Sequence, residues 1–282
     1  MFDTGISKKI KINFNDNFTA DYLAQAPLAL ALERAFECHI LSQQEFVGPV
    51  LDIGCGDGIL ASVLFKEPID CGLDPDKKEL QRAKAAGSYK ELICAQAQEI
   101  PKPDSSFQTI LANSVLEHIP GLKEVLKEAG RVLAAEGRMY ITVPTEKFER
   151  FTLGYQILSK INLAWARRFG NFYNHFWKHH HCYDAAGWQK VFAECGWKVV
   201  QQREYDPKRT CMIFDLLVPL SLPSFFSRKF LNRWFLSPSL RRGYTPLLIG
   251  AFGPLVKKHL PDTQEGGLVF FELRKVKDEK SF

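Results

Sequence analysis

The stretch PVLDIGCGDG, residues 49–58, decides how this chain folds. Val50, Leu51 and Ile53 form a short apolar run that ends in three alternating glycines, Gly54, Gly56 and Gly58. The helical segment ILASVLFK follows at once. An apolar run, a glycine turn and a helix read as a buried strand feeding a crossover. Glycine there permits positive φ and lets backbone approach a ligand closely. The spacing is not the G-x-G-x-x-G fingerprint, since Ile59 stands three places after Gly56. It is an acid followed by alternating glycines, starting at Asp52.

Moving outward, residues 20–42 carry a helical apolar rhythm at Leu23, Leu28, Leu32, Phe36 and Ile40, behind a loose segment at 1–19. DCGLDPD at 70–76 ends a second strand, and KKELQRAKAAG follows it as a helix. ELICAQA at 91–97 and FQTILANS at 107–114 are strands three and four. A helix with apolar positions Leu122, Val125, Leu126, Ala129, Val132 and Leu133 closes at Gly137, and RMYITVP at 138–144 is strand five. A helix at 184–196, a sixth strand at 197–205 and a final strand at 266–276 complete the pattern. Alternating strands and helices predict an α/β chain with a doubly wound, mostly parallel seven-stranded sheet. Strand six is expected to run parallel to its neighbours and strand seven back against it. No internal repeat and no low-complexity tract interrupts the order.

Ligands of such sheets bind beyond the carboxyl ends of the strands, where the glycine turn lies. Asp74 stands at the end of strand two, and a carboxylate there can accept from both hydroxyls of a ribose. The alternative for Asp74 is a turn residue before Pro75. Glycine turn and strand-end acid together indicate a nucleoside-containing ligand, and leave nicotinamide and S-adenosylmethionine both open.

The pieces VLDIGCGDG, GLDPD, AQAQEIPKPDSSFQTILANSVLEHI and RVLAAEGRMYITVP, in this order, resemble the class I S-adenosylmethionine-dependent methyltransferases, in their small-molecule (type 11-like) branch. The resemblance implies a Rossmann-like fold, S-adenosyl-L-methionine as cofactor and methyl transfer as the reaction. It implies that Asp52, Gly54 and Gly56 shape the pocket for the methionine part and that Asp74, with Pro75, holds the ribose. Gln96 and Ala97 would meet the adenine edge, and Asn113 would sit beside the methionine moiety. Two positions depart from the family pattern, where acids are usual: Gln96 and Gln108. The Gln96 amide can accept from an adenine amino group but without charge, so that bond is expected to be weaker. An oxidoreductase using NAD on a similar sheet, and a non-catalytic protein that only binds S-adenosylmethionine, are the competing classes.

Methyl transfer needs alignment more than it needs a base, because the methyl is already activated. In SVLEHIP, Glu117 and His118 lie near the strand ends, and His118 is the candidate base. The alternative is that this pair packs the following helix. HFWKHHHCYD, residues 175–184, holds four histidines and a cysteine. Adjacent residues in an extended chain face opposite ways, so three consecutive histidines cannot converge on a metal, and none is expected. His179, His181 and Tyr183 are candidate substrate contacts, because the segment leaves strand five on the cofactor side. The competing role is plain packing of a lid.

The chain has 282 residues and a formal charge of +5. Nine Lys/Arg stand against two acids between Pro207 and Asp262, a net of +7, so the remainder sums to −2. That basic segment is also greasy: VPLSLPSFFSRKFLNRWF, residues 218–235, contains no acid. Prolines 219, 223, 238, 246 and 254 are expected to break it into short pieces, punctuated by Arg228, Lys229, Arg233, Arg241, Arg242, Lys257 and Lys258. Topology puts both irregular stretches, 145–182 and 207–262, at the carboxyl edge of the sheet. The expected organisation is a core at 1–144, a first cap insertion at 145–182, core again at 183–206, a second cap insertion at 207–262 and a final strand and tail at 263–282. Such a cap suits a small acceptor that is apolar or lipid-linked, and its basic, aromatic character suits an anionic membrane surface; the competing role is an ordinary lid with its apolar side packed on the domain. Its aliphatic content and prolines argue against nucleic acid. Seven scattered cysteines without a CxxC pair indicate reduced thiols and a cytoplasmic protein, with membrane association through the cap. The N-terminus lacks the apolar core of a signal peptide, and no 18 uninterrupted apolar residues predict a conventional span.

Overall fold

In the computed structural model, which describes residues 11–231, 233–259 and 265–276, one seven-stranded sheet carries helices on both faces. Its strands are β1 (Val50–Ile53), β2 (Ile69–Leu73), β3 (Tyr89–Ile93), β4 (Phe107–Asn113), β5 (Leu133–Pro144), β6 (Trp197–Tyr205) and β7 (Leu268–Lys275). They stand in the order β3-β2-β1-β4-β5-β7-β6. The first five pair in parallel. β7 is antiparallel to both β5 and β6. β6 therefore shares the direction of the parallel strands, yet its one neighbour, β7, opposes it. The predicted parallel pairing for β6 is replaced by insertion of the last strand between it and β5. The order reverses between β1 and β4, which opens a crevice at their carboxyl ends.

Alternation along each strand sends side chains to two cores. Leu111, Tyr140 and Phe270 face the layer of α1 (Phe18–Gln25), α2 (Leu28–Leu41) and α3 (Ile59–Leu64). Ile110, Met139, Ile141 and Phe271 face the layer of α5 (Leu122–Val132) and α8 (Ala185–Glu194). α4 (Lys77–Ala86) completes the β2–β3 crossover, capped by the Asp76 carboxylate on the Lys78 N–H at its start and by Gly87 at φ +69° at its end.

Several boundaries differ from those the sequence suggests. The helical rhythm of residues 20–42 divides into α1 and α2 at Pro27, which precedes α2 and cannot continue α1. Residues 11–14 are tied down by bridges from Lys11 to Val47 and from Phe14 to Phe65. β5 begins at Leu133, so Gly137 lies inside the strand instead of ending the helix. The stretch after β5 is helical: α6 (Leu153–Ile161), capped by Thr152, and α7 (Leu163–Phe176), capped by Asn162.

The basic segment forms two long helices, α9 (Lys208–Leu231) and α10 (Pro238–His259), instead of short pieces. Pro219, Pro223, Pro246 and Pro254 lie inside them. An interior proline costs a helix about 3 kcal/mol. Tertiary packing offsets that cost: Phe214 and Leu217 of α9 join the core with α2, and the Ser221 hydroxyl accepts from the Ala29 N–H. Two of the five basic residues whose side chains are described turn inward. Arg241 is buried and donates to the carbonyls of Leu23 and Ala26 at the end of α1. Arg228 pairs with Asp57 and Glu79. Lys229, Arg233 and Arg242 remain exposed, while the side chains of Lys257 and Lys258 lie outside the described residues.

Candidate functional site

The glycine turn adopts the conformation its composition allows. Gly54, Gly56 and Gly58 all have positive φ, at +70°, +52° and +75°. A Cβ on Gly54 would fall 2.6 Å from the Val115 side chain, whereas one on Gly56 would meet nothing within 4 Å. The turn is held open by Asp74, whose Oδ2 accepts from the Gly56 N–H at 3.0 Å and whose Oδ1 accepts from the Asp76 N–H at 2.8 Å. A carboxylate has about four acceptor positions, so both oxygens can still accept more. Burial raises the Asp74 pKa against these bonds. Asp52 is buried under the turn and accepts from the Tyr89 hydroxyl at 2.6 Å. Burial pushes its carboxyl up to about 7, with the Tyr89 bond opposing.

Asp52, Gly54, Gly56 and Asp74 line a cavity of about 560 Å³ at the switch point, within the range of roughly 300–1,000 Å³ usual for small-molecule sites. Asp52, Gly54, Gly56, Asp74, Pro75, Gln96, Ala97, Asn113 and His118 all border it. Asn113 is less free than its position at the strand end suggests. Its amide donates to Glu37 at 2.6 Å and its oxygen accepts from the Thr142 hydroxyl at 2.9 Å.

Four further wall residues follow from no sequence pattern. Arg34, from α2, donates to the Glu37 carboxylate and to the Ser114 hydroxyl. Gln98 has a buried Oε1 without a hydrogen-bond partner. Arg228 and Trp234 close one side: both bond the Asp57 carboxylate, and the guanidinium lies 4.0 Å from the centre of the indole ring. Arg34 and Gln98 each sit in elements whose periodicity or turn chemistry explains them without a ligand, and Arg228 and Trp234 reach the site only through the fold of α9.

A second cavity of about 280 Å³ adjoins the first. Leu30, Arg34, Ser114 and His118 border both. Its walls come from α2, from the segment after β5 (Phe148, Tyr173, Trp177, His179) and from α9 (Phe214, Val218, Phe225). Of the three candidate contacts in the histidine run, His179 borders this cavity, with its ring 5.1 Å from that of His118. His181 and Tyr183 border neither cavity. His181 Nε2 pairs with the Ile119 carbonyl at 3.0 Å, and Tyr183 packs edge-on against Trp188. The run is pinned by the Glu117 carbonyl, which accepts from the N–H groups of His180 and His181.

Glu117 and His118 occupy a single 3₁₀ turn after β4. The Lys178 carbonyl can only accept, so the His118 Nδ1 facing it at 3.3 Å carries the proton and Nε2 is left as a base. Burial lowers the His118 pKa and takes that of His179 down to about 4, so both rings are neutral at pH 7. Burial pushes Glu117 up to about 8. Ligand atoms of Glu117, His118 and His179 lie within 4.8 Å of one another.

Parallel sheet, reversed strand order and a glycine-and-acid crevice at the switch point define a class I S-adenosylmethionine-dependent methyltransferase fold. A family model described as a methyltransferase domain matches residues 22–202, and the chain belongs to that family. Among curated proteins, a 27-O-demethylrifamycin SV methyltransferase of Amycolatopsis mediterranei is 31% identical over 34% of this chain and 40% of its own length. A ubiquinone biosynthesis O-methyltransferase of Bradyrhizobium diazoefficiens is 29% identical over 51% of this chain and 58% of its own length. The matches thus span about half the length of these relatives. Among solved structures, a Thermotoga maritima protein titled a SAM-dependent methyltransferase, "possible histamine N-methyltransferase", superposes with a TM-score of 0.55 at 16% identity, over 89% of this chain and 92% of that one. A S-adenosylmethionine-dependent methyltransferase from Mesorhizobium loti gives 0.50 at 16% identity, over 86% and 100%. At that identity the likeness concerns the fold.

Proposed function

We propose that the protein is a methyltransferase that takes S-adenosyl-L-methionine in the larger cavity and a small, largely apolar acceptor in the adjoining one. The observation that carries this reading is the junction: Leu30, Arg34, Ser114 and His118 border both cavities. The first cavity fits the cofactor. Asp74 keeps free lone pairs for ribose hydroxyls, the orphaned Gln98 Oε1 beside Gln96 and Ala97 suits an adenine amino group, and the space over Gly56 admits the methionine part. Arg34 at the junction suits the methionine carboxylate. Bound there, S-adenosylmethionine supplies a sulfonium methyl that needs no further activation.

The chain's own residues then do the positioning. The junction holds the acceptor atom in line with the methyl, and walls from α2, α7 and α9 exclude water. His118, neutral with Nε2 unprotonated, takes a proton from an acceptor that must lose one. Calorimetry with S-adenosylmethionine, S-adenosylhomocysteine and NAD tests the assignment. Binding of the first two without the third is expected, and a preference for NAD would overturn it.

A membrane surface is the second part of the reading, carried by exposed apolar side chains on the cap. Ile157, Ile161, Trp165, Phe172 and Phe176 of α6 and α7 are exposed, as are Leu216, Leu220, Phe226 and Phe230 of α9. Exposed Lys160, Arg167, Arg168, Arg209 and Lys229 accompany them. Among the described residues, α9 is the one helix long and apolar enough to cross a membrane, although the sequence shows no uninterrupted run of 18. Its ties to the domain through Arg228 and Ser221 favour lying on an anionic leaflet over crossing it. Each basic group near such a surface contributes on the order of 1 kcal/mol. Co-sedimentation with phosphatidylglycerol liposomes in low salt is expected for the intact chain and reduced in a Leu220→Glu, Phe226→Glu, Phe230→Glu variant. No binding by the intact chain would remove this part.

A further inference from the structure

Granted that the smaller cavity receives the acceptor, we propose that it selects a protonated amine, favoured by the buried carboxylates of its wall, Glu117 and Asp206, and by an aromatic lining, so that nitrogen is the atom methylated.

Four carboxylates border this cavity: Glu33, Glu117, Asp206 and Asp215. Among the described residues that line it, Arg34 is the one Lys or Arg, and its Nη1 is engaged with Glu37 and Ser114. Asp215 is partly satisfied by the Leu153 N–H. Glu117 and Asp206 are 2% and 1% exposed, and Glu117 Oε2 and Asp206 Oδ1 have no hydrogen-bond partner among the described residues. A buried, unpartnered carboxylate oxygen is costly unless something supplies a donor or a positive charge. Burial accordingly raises the pKa of both groups. A ligand ammonium would bring the missing positive charge to this acidic wall.

The remaining walls favour the same occupant. Phe148, Tyr173, Trp177, Phe214 and Phe225 line the cavity. Aromatic faces attract a cation and also accommodate its apolar body. A divalent metal at Glu117, His118 and His179 would use neither Asp206 nor the aromatic walls.

The chemistry balances with groups on the page. The ammonium gives one proton to His118 Nε2 and becomes a neutral amine. The nitrogen lone pair then forms the N–CH₃ bond as the S–CH₃ bond breaks, with its electron pair left on sulfur. The positive charge passes from sulfur to nitrogen, giving a methylated ammonium and S-adenosylhomocysteine, and His118 later loses its proton to solvent.

The test is calorimetry at pH 7 on the full chain saturated with S-adenosylhomocysteine. The probes are 2-phenylethylamine and hexylamine, each against its alcohol, 2-phenylethanol and hexan-1-ol. Each amine is expected to bind about tenfold tighter than its alcohol. In Glu117→Gln and in Asp206→Asn, tested separately, that preference is expected to shrink while S-adenosylhomocysteine binding persists. Alcohols that bind as well as the amines would overturn the proposal. So would a preference that survives both substitutions, or displacement of the amines by zinc or magnesium chloride. Loss of S-adenosylhomocysteine binding in the unaltered chain would instead overturn the methyltransferase reading beneath it.

Discussion

Arg228, near the end of α9, pairs with Asp57 in the glycine turn, 171 positions earlier in the chain. Its other terminal nitrogen reaches Glu79 on α4, and Trp234 covers the guanidinium while donating to the same Asp57. The apolar segment is thereby fastened to the rim of the larger cavity. Two carboxylates and a guanidinium that is mostly shielded form a charge-assisted, geometrically specific contact. Arg228→Ala, which removes both of these carboxylate contacts, is expected to release this rim and speed dissociation of S-adenosylhomocysteine about tenfold. Arg228→Lys should recover little, because an ammonium cannot bridge both acids as a fork does. Stopped-flow dissociation kinetics measure it.

Asp74 tests the cofactor reading from the opposite side. Its carboxylate organises the turn through the Gly56 N–H and presents remaining lone pairs to the cavity. Asp74→Ala is expected to weaken S-adenosylhomocysteine binding by about 10- to 100-fold, corresponding to roughly 1.5–3 kcal/mol for hydrogen bonds to a charged group. Asp74→Asn should fall between the two. Calorimetry, with circular dichroism to show that the fold is retained, gives the answer; unchanged affinity in Asp74→Ala would remove Asp74 from the site.

Gly54 is a statement about backbone and not about ligand. At φ +70° with Val115 at 2.6 Å from where a Cβ would be, alanine is opposed both by conformation and by space. Gly54→Ala is expected to lower stability by about 1–3 kcal/mol. Val115→Ala in the same chain should return the steric part and leave the conformational part, so the two changes will not add. Urea unfolding of the two single variants and the double variant separates the contributions.

The candidate site was legible in the sequence to the extent that the cavity depends on backbone and strand ends. Asp52, the glycines, Asp74, Gln96 and Ala97 are local to three strand termini, and a parallel sheet brings such termini together whatever follows. Arg34 and Arg228 were not legible as residues of the cavity wall. Arg34 looks like a surface residue of an amphipathic helix, and its placement depends on how α2 lies across the sheet. Arg228 looked like one more surface cation until packing of α9 on α2 carried it to Asp57. The prolines misled for the same reason: local propensity argues for breaks, and tertiary packing overrides it. His181 and Tyr183 are candidates because their segment leaves strand five on the cofactor side, but the Ile119 carbonyl and Trp188 hold them outside both cavities.

Glu117 links the site to stability through pH. Its ordinary carboxyl value is 4.5, and burial raises it to about 8 in the folded chain. Between these values the folded state holds a proton that the unfolded state has released, so folding stability falls as pH rises from 4.5 towards 8 and levels off above. Asp52 and Glu33, each raised to about 7 by burial, contribute in the same direction over a narrower window. Glu117→Gln removes one of these proton linkages while keeping the side-chain shape. Unfolding measured by urea at pH 5.5, 7 and 8.5 is expected to show stability declining across the series in the unaltered chain and declining less in Glu117→Gln. An equal decline in both would mean that Glu117 ionises as a solvent-exposed acid does, and that its unpartnered oxygen is hydrated in solution. An amine bound in the smaller cavity acts in the opposite sense, since a positive charge beside Glu117 favours its ionised form. The decline should therefore be shallower again when 2-phenylethylamine and S-adenosylhomocysteine are both present.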